Sequence, residues 1–164
     1  MKKFDVRKLV AAALLAALAC AGTFISIPYG IGYLNFGDCF VLLAGWLLGP
    51  LYGAFAGGIG PMLADAIMGY YVYAPATLVI KALMAVTAYF VAKAFTGKRF
   101  VTSIVSGVCA EAVMVLGYFA YETILYGIGA ATPGLLLNSI QGIAGIVCAV
   151  LLKEFNDRKR IWKY

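Results

Sequence analysis

Twelve of the chain's thirteen Lys and Arg residues fall into three clusters, and long apolar stretches separate them. Lys2, Lys3, Arg7 and Lys8 open the chain, Lys93, Lys98 and Arg99 lie near its middle, and Lys153, Arg158, Lys159, Arg160 and Lys163 close it. A hydrocarbon core about 30 Å thick takes roughly 20 helical residues to cross. On that ruler the stretches divide into six spans: about Leu9 to Ile27, Gly37 to Leu48, Leu51 to Tyr71, Pro75 to Phe95, Phe100 to Tyr126 and Thr132 to Leu152. The second is short and stops at Gly49-Pro50, as a tilted, kinked or partly buried element would. Six crossings put every basic cluster on the cytoplasmic side and leave the outer loops without Lys or Arg, which is the positive-inside pattern. An odd number would place one basic end outside. N- and C-termini are therefore both expected in the cytoplasm.

Composition agrees with this topology. The chain is 64% hydrophobic and 12% charged, too little polar material to cover a soluble domain of 164 residues. The expected architecture is all-α: a single six-helix transmembrane domain over residues 1–164 of a multi-pass cell-membrane protein. The first apolar run follows basic residues as a signal peptide does, but the pattern continues well beyond it, so it reads as the first helix of the bundle. The net charge of +6 comes from residues flanking apolar spans and reports orientation, not nucleic-acid binding. The four cysteines form no CxxC pair and there is no histidine, so buried thiols are expected and no metal site.

Small residues recur at a spacing of four. Ala12 and Ala16, Ala13 and Ala17, and Ala17 and Ala21 do so in the first span, and Gly53 and Gly57 in the third. Such spacing lets helices approach closely in lipid. In the third span it suits packing inside the subunit; in the first it serves an internal contact or a partner protein.

Charges within a bilayer are costly and pair or face a polar cavity. Asp38, Asp65, Lys81, Glu111 and Glu122 qualify. With span direction and a rise of about 1.5 Å per residue, all but Glu111 fall at the outer side. Asn138 and Gln141, three apart on the sixth span, join them at that depth. Glu111, Met114 or Val115, Tyr118 and Glu122 follow a helical stripe that suits a cavity wall. Lys81 is the sole embedded cation, expected either to pair with Asp65, Asp38 or Glu122, or to donate to a ligand, the two being compatible. Tyr29, Tyr33, Tyr70, Tyr71, Tyr73 and Tyr126 gather at the outer rim, as an interfacial belt or as rings stacking on a flat ligand.

The stretches Asn35-Phe36-Gly37-Asp38, Leu48-Gly49-Pro50-Leu51-Tyr52-Gly53-Ala54, Gly57 through Tyr71, and Tyr73 through Ala85 resemble the substrate-binding (S) components of energy-coupling factor (ECF) transporters. The resemblance covers about a third of the chain, and its middle block is most similar to the branch handling pyridoxine, hydroxymethylpyrimidine and related small heteroaromatic vitamins. It implies a subunit that captures a vitamin or precursor in an outward-facing pocket, with Tyr33, Asn35, Asp38, Asp65, Tyr70, Tyr73, Lys81, Tyr118, Glu122, Asn138 and Gln141 as candidate substrate-binding residues. It also implies docking through Ala12, Ala13, Ala16 and Ala17 onto a membrane coupling (T) subunit. Two ATP-binding subunits then topple the S component, so ATP is used by partners and no cofactor is bound by this chain. The sequence agrees in lacking a GxxxxGK[ST] loop: Thr96-Gly97-Lys98-Arg99 has neither the spacing nor the following hydroxyl.

Two other readings compete. A stand-alone carrier or channel would transport a small solute without partners, although 164 residues leave little room for duplicated halves. An intramembrane aspartyl protease would need Asp38 and Asp65 as a proton-sharing dyad, and the Gly-x-Gly-Asp pattern of such enzymes is absent around Asp38.

Overall fold

The computed structural model describes residues 5–29, 32–95 and 97–159. Among them are six helices: α1 (Val6–Phe24), α2 (Asp38–Leu48), α3 (Pro50–Ile67), α4 (Ala74–Ala94), α5 (Arg99–Tyr126) and α6 (Ile128–Lys159). Helices α1, α4, α5 and α6 are each long and apolar enough to cross a membrane. The bundle is inside-out in polarity. Leu51, Val79, Leu116, Leu136 and Leu151 are exposed, while Asp38, Asp65, Lys81, Glu111 and Glu122 are buried. That distribution suits a lipid surround.

The expected spans need local correction. The first ends at Phe24 rather than Ile27, because β1 (Ser26–Tyr29) leaves the helix and pairs antiparallel with β2 (Gly32–Asn35). Pro28, opposite Tyr33, has no N–H for a helix but is tolerated in a short two-stranded ribbon. The third span closes at Ile67, four residues before Tyr71, and the turn 68–73 leads into α4. The sixth starts at Ile128 and continues to Lys159, carrying its basic end beyond the apolar stretch.

Asp5 starts α1 by accepting the backbone N–H groups of Arg7 (3.1 Å) and Lys8 (3.4 Å), satisfying donors a helix N-terminus leaves open. The break between α2 and α3 falls at Gly49-Pro50, with proline at the first helical position, where its missing N–H costs nothing. Helix α3 packs on α1, α2 and α4. Its small residues do what their spacing suggested. A Cβ on Gly60 would sit 2.3 Å from the Ala16 carbonyl oxygen, so α3 meets α1 backbone to backbone with no room for a methyl. Between α2 and α4 the same holds for Gly45, whose Cβ would lie 2.3 Å from the Ala85 carbonyl oxygen. Close helix approach in lipid is gained through packing of this kind.

Candidate functional site

At the end of the bundle opposite the basic clusters, the β-hairpin, the turn 68–73 and four helices line a cleft with about 370 Å³ of empty space, part of it open to solvent. Strand β2 contributes Gly32, Tyr33 and Asn35; α3 contributes Asp65, the turn 68–73 Tyr70 and Tyr73, α4 Thr77, α5 Tyr118 and Glu122, and α6 Asn138 and Gln141. Nine of the eleven expected substrate-binding residues therefore line one hollow. Glu122 and Asp65 are 2% and 1% exposed, which places their carboxylates inside the bundle rather than on its rim.

The two exceptions, Asp38 and Lys81, lie one layer deeper. Lys81 is one helical turn below Thr77 on α4 and pairs with Asp38 Oδ1 at the start of α2. The other Asp38 oxygen accepts Gln141 Nε2 at 2.6 Å. Gln141 Oε1 in turn accepts the backbone N–H of Asn35 at 2.8 Å and its side-chain amide at 3.3 Å, while Asn35 Oδ1 accepts the Gly37 N–H at 2.8 Å. A continuous polar chain thus runs from α4 through α2 and α6 into the hairpin. It fixes Asn35 and Gln141 as part of the cleft floor. The Lys81 ammonium also lies 5.5 Å from the centroid of the Tyr118 ring, a cation–π distance. Of the partners open to Lys81, the structure selects Asp38.

Above this floor the walls are aromatic. Tyr33 and Tyr70 rings are 4.8 Å apart, Tyr70 and Tyr73 6.3 Å, and Tyr73 and Tyr126 6.5 Å. Tyr33 donates to Asp65 Oδ1, tying the hairpin to α3. Burial raises the pKa of the Tyr33 phenol and the adjacent Asp65 carboxylate raises it further, so the hydroxyl stays protonated and donating. Thr77 and Tyr118 share a hydrogen bond of 2.9 Å, and Tyr73 donates to Glu122 Oε1 at 3.4 Å. Of the other rim tyrosines, Tyr71 is exposed, Tyr126 backs Tyr73 from outside the cleft, and the Tyr29 side chain lies outside the described residues.

Several expectations change. The α5 stripe is a cavity wall only in its outer half: Met114 is in the core, and Glu111 is buried against Gly142 and Gly145 of α6, beside Asp38. Thr77 was missed, although its position four residues before Lys81 on one helix face signals it. Tyr121 was missed as well; it donates to the Val72 carbonyl and steadies the turn 68–73. Asp38 and Asp65 are held by different partners, Lys81 with Gln141 and Tyr33 respectively, an arrangement unlike a proton-sharing dyad.

A second, apolar hollow lies towards the opposite end, between α1 and α3. Leu9, Ala12, Ala13, Ala16, Leu51, Tyr52, Phe55, Ala56 and Ile59 line it. Of the four alanines expected to dock a partner, Ala12 is largely buried against α3, Ala13 and Ala16 face the groove, and Ala17 is exposed beyond its lining.

A family model described as ECF-type riboflavin transporter, S component, matches residues 3–155. A protein of Pyrococcus woesei described as an uncharacterized protein in gap 3'region is 42% identical over 125 residues, 75% of this chain and 81% of its own length. The solved structure described as "Structure and mechanism of the S component of a bacterial ECF transporter" aligns with a TM-score of 0.74 at 23% identity. The alignment covers 94% of this chain and 98% of that one, a likeness of fold.

Proposed function

We propose, from the premise that this chain belongs to the family of ECF-type riboflavin transporter S components, that its outer cleft captures a flat heteroaromatic vitamin or precursor. As an S component it is a non-enzymatic, multi-pass membrane subunit that binds a vitamin and works with T and ATPase subunits. The observation carrying the cleft assignment is the convergence of four tyrosines, two carboxylates and three amides from separate elements on one hollow. Aromatic rings stack on a planar ligand, and the polar groups fix its orientation.

The family description names riboflavin; the sequence motifs lean to pyridoxine and hydroxymethylpyrimidine. We favour the single-ring class. As it stands the cleft leaves only about 30 Å³ for the centre of a water-sized sphere, far below the roughly 300–1,000 Å³ usual for small-molecule sites, so any ligand must displace its walls and a single ring displaces them least. The hairpin and the turn 68–73 would both have to withdraw for a three-ring system. Asp38 and Lys81 hold the floor rather than touch the ligand. The groove between α1 and α3, with Ala13 and Ala16 at its surface, is the face offered to the coupling subunit, and ATP is hydrolysed by partner subunits.

The test is binding and uptake with the same preparation. The purified chain in nanodiscs is expected to bind pyridoxine or hydroxymethylpyrimidine more tightly than riboflavin. Proteoliposomes are expected to accumulate that ligand only when T and ATP-binding subunits are added with ATP. Uptake by the chain alone would establish a stand-alone carrier instead.

A further inference from the structure

The charge of the cleft narrows what it accepts. Asp65 and Glu122 bring carboxylates from α3 and α5, each nine-tenths or more buried. One oxygen of each is engaged, by Tyr33 and Tyr73. Asp65 Oδ2 and Glu122 Oε2 have no hydrogen-bond partner among the described residues. Thr77 is the other polar neighbour of Asp65, and its hydroxyl also hydrogen-bonds that of Tyr118. Glu122 Oε2 rests against α6, where a Cβ on Gly134 would come within 2.6 Å of it and the Asn138 amide nitrogen lies close by. Among the described residues no Lys or Arg lines the cleft. The nearby cation, Lys81, is committed to Asp38 beneath the floor.

Resting on the proposed vitamin-binding reading, the geometry points to a cleft that selects a ring bearing positive charge or N–H donors and rejects carboxylated or phosphorylated ligands, with Glu122 and Asp65 as the two acceptors. A carboxylate accepts and does not donate, and a buried acceptor without a donor is costly. An incoming amine or ring N–H supplies what both oxygens lack. The phenol rings of Tyr33, Tyr70, Tyr73 and Tyr118 reinforce this choice, since their faces attract cations. An anionic substituent would meet two carboxylates in a site of low dielectric, with no compensating cation.

The experiment is isothermal titration of the full chain in nanodiscs at pH 7 with matched probes. Pyridoxamine and thiamine carry positive charge, pyridoxine and riboflavin are donor-bearing and uncharged or nearly so, and 4-pyridoxate and nicotinate carry a carboxylate. The tightest binder is expected among the first four, with both carboxylates at least a hundredfold weaker. Glu122→Gln keeps the side chain's shape, and it is expected to weaken the best binder at least tenfold while narrowing the gap to 4-pyridoxate. If Glu122→Gln does not fold, Asp65→Asn takes its place. A carboxylate among the tight binders, or an unchanged preference in a folded variant, overturns the inference while leaving the vitamin-binding reading intact. Binding by none of the six probes, nor by hydroxymethylpyrimidine run beside them, overturns both.

Discussion

Replacing Lys81 by Met separates holding the floor from touching the ligand. Lys81 is 1% exposed and Asp38 0% exposed. Met fills a similar volume, so the variant opens little cavity; its effect is to strand Asp38 next to Gln141. Removing one partner of a buried pair costs about 3–5 kcal/mol. The variant is therefore expected to lose about 3–4 kcal/mol at pH 7. Equilibrium unfolding in mixed micelles measures this, with Asp38→Asn added to remove the stranded charge. The double variant is expected to regain most of the loss. A deficit below about 1 kcal/mol, or simple additivity of the two substitutions, would refute a coupled pair.

Other outcomes follow from the same geometry. Tyr33→Phe deletes the donor to Asp65 and is expected to weaken vitamin binding by about 1–2 kcal/mol, roughly 5- to 30-fold in Kd by titration, with the fold retained. Ala13→Trp fills the groove between α1 and α3; binding by the isolated chain is expected to persist while uptake by the assembled transporter falls at least tenfold. Gly60→Val forces α3 away from the Ala16 carbonyl and is expected to cost about 1–3 kcal/mol in unfolding measurements, whereas Gly129→Ala, at a position with open space, should cost under 1 kcal/mol.

Much of this site was legible because the membrane makes polar residues informative. Asp65, Glu122, Asn138 and Gln141 could be placed at one depth from span direction alone, and the structure brings them to one cleft. Depth along a helix follows from a fixed rise per residue; which way a side chain points depends on packing the sequence does not spell out. Glu111 shows the difference. Its spacing from Tyr118 suggested a common wall, yet α6 presents Gly142 and Gly145 there and closes over it. The partner of Lys81 was open for the same reason: three carboxylates lay near its depth, and the approach of α2 to α4 at Gly45 decides for Asp38. The pairing of 26–29 with 32–35 escaped because these four-residue strands continue an apolar run, and only Pro28 marks the departure. Ala12, Ala13, Ala16 and Ala17 read alike as small residues, but helix phase turns Ala12 inward and Ala13 outward.

The central claim is that one small molecule sits in the outer cleft, and native mass spectrometry of the purified chain offered a vitamin mixture tests it most directly. A one-to-one adduct with a heteroaromatic vitamin is predicted for the native chain, retained in Ala13→Trp and lost when Glu122 and Asn138 are both replaced by alanine. No adduct with any vitamin, or an adduct that survives the loss of both cleft residues, would contradict it.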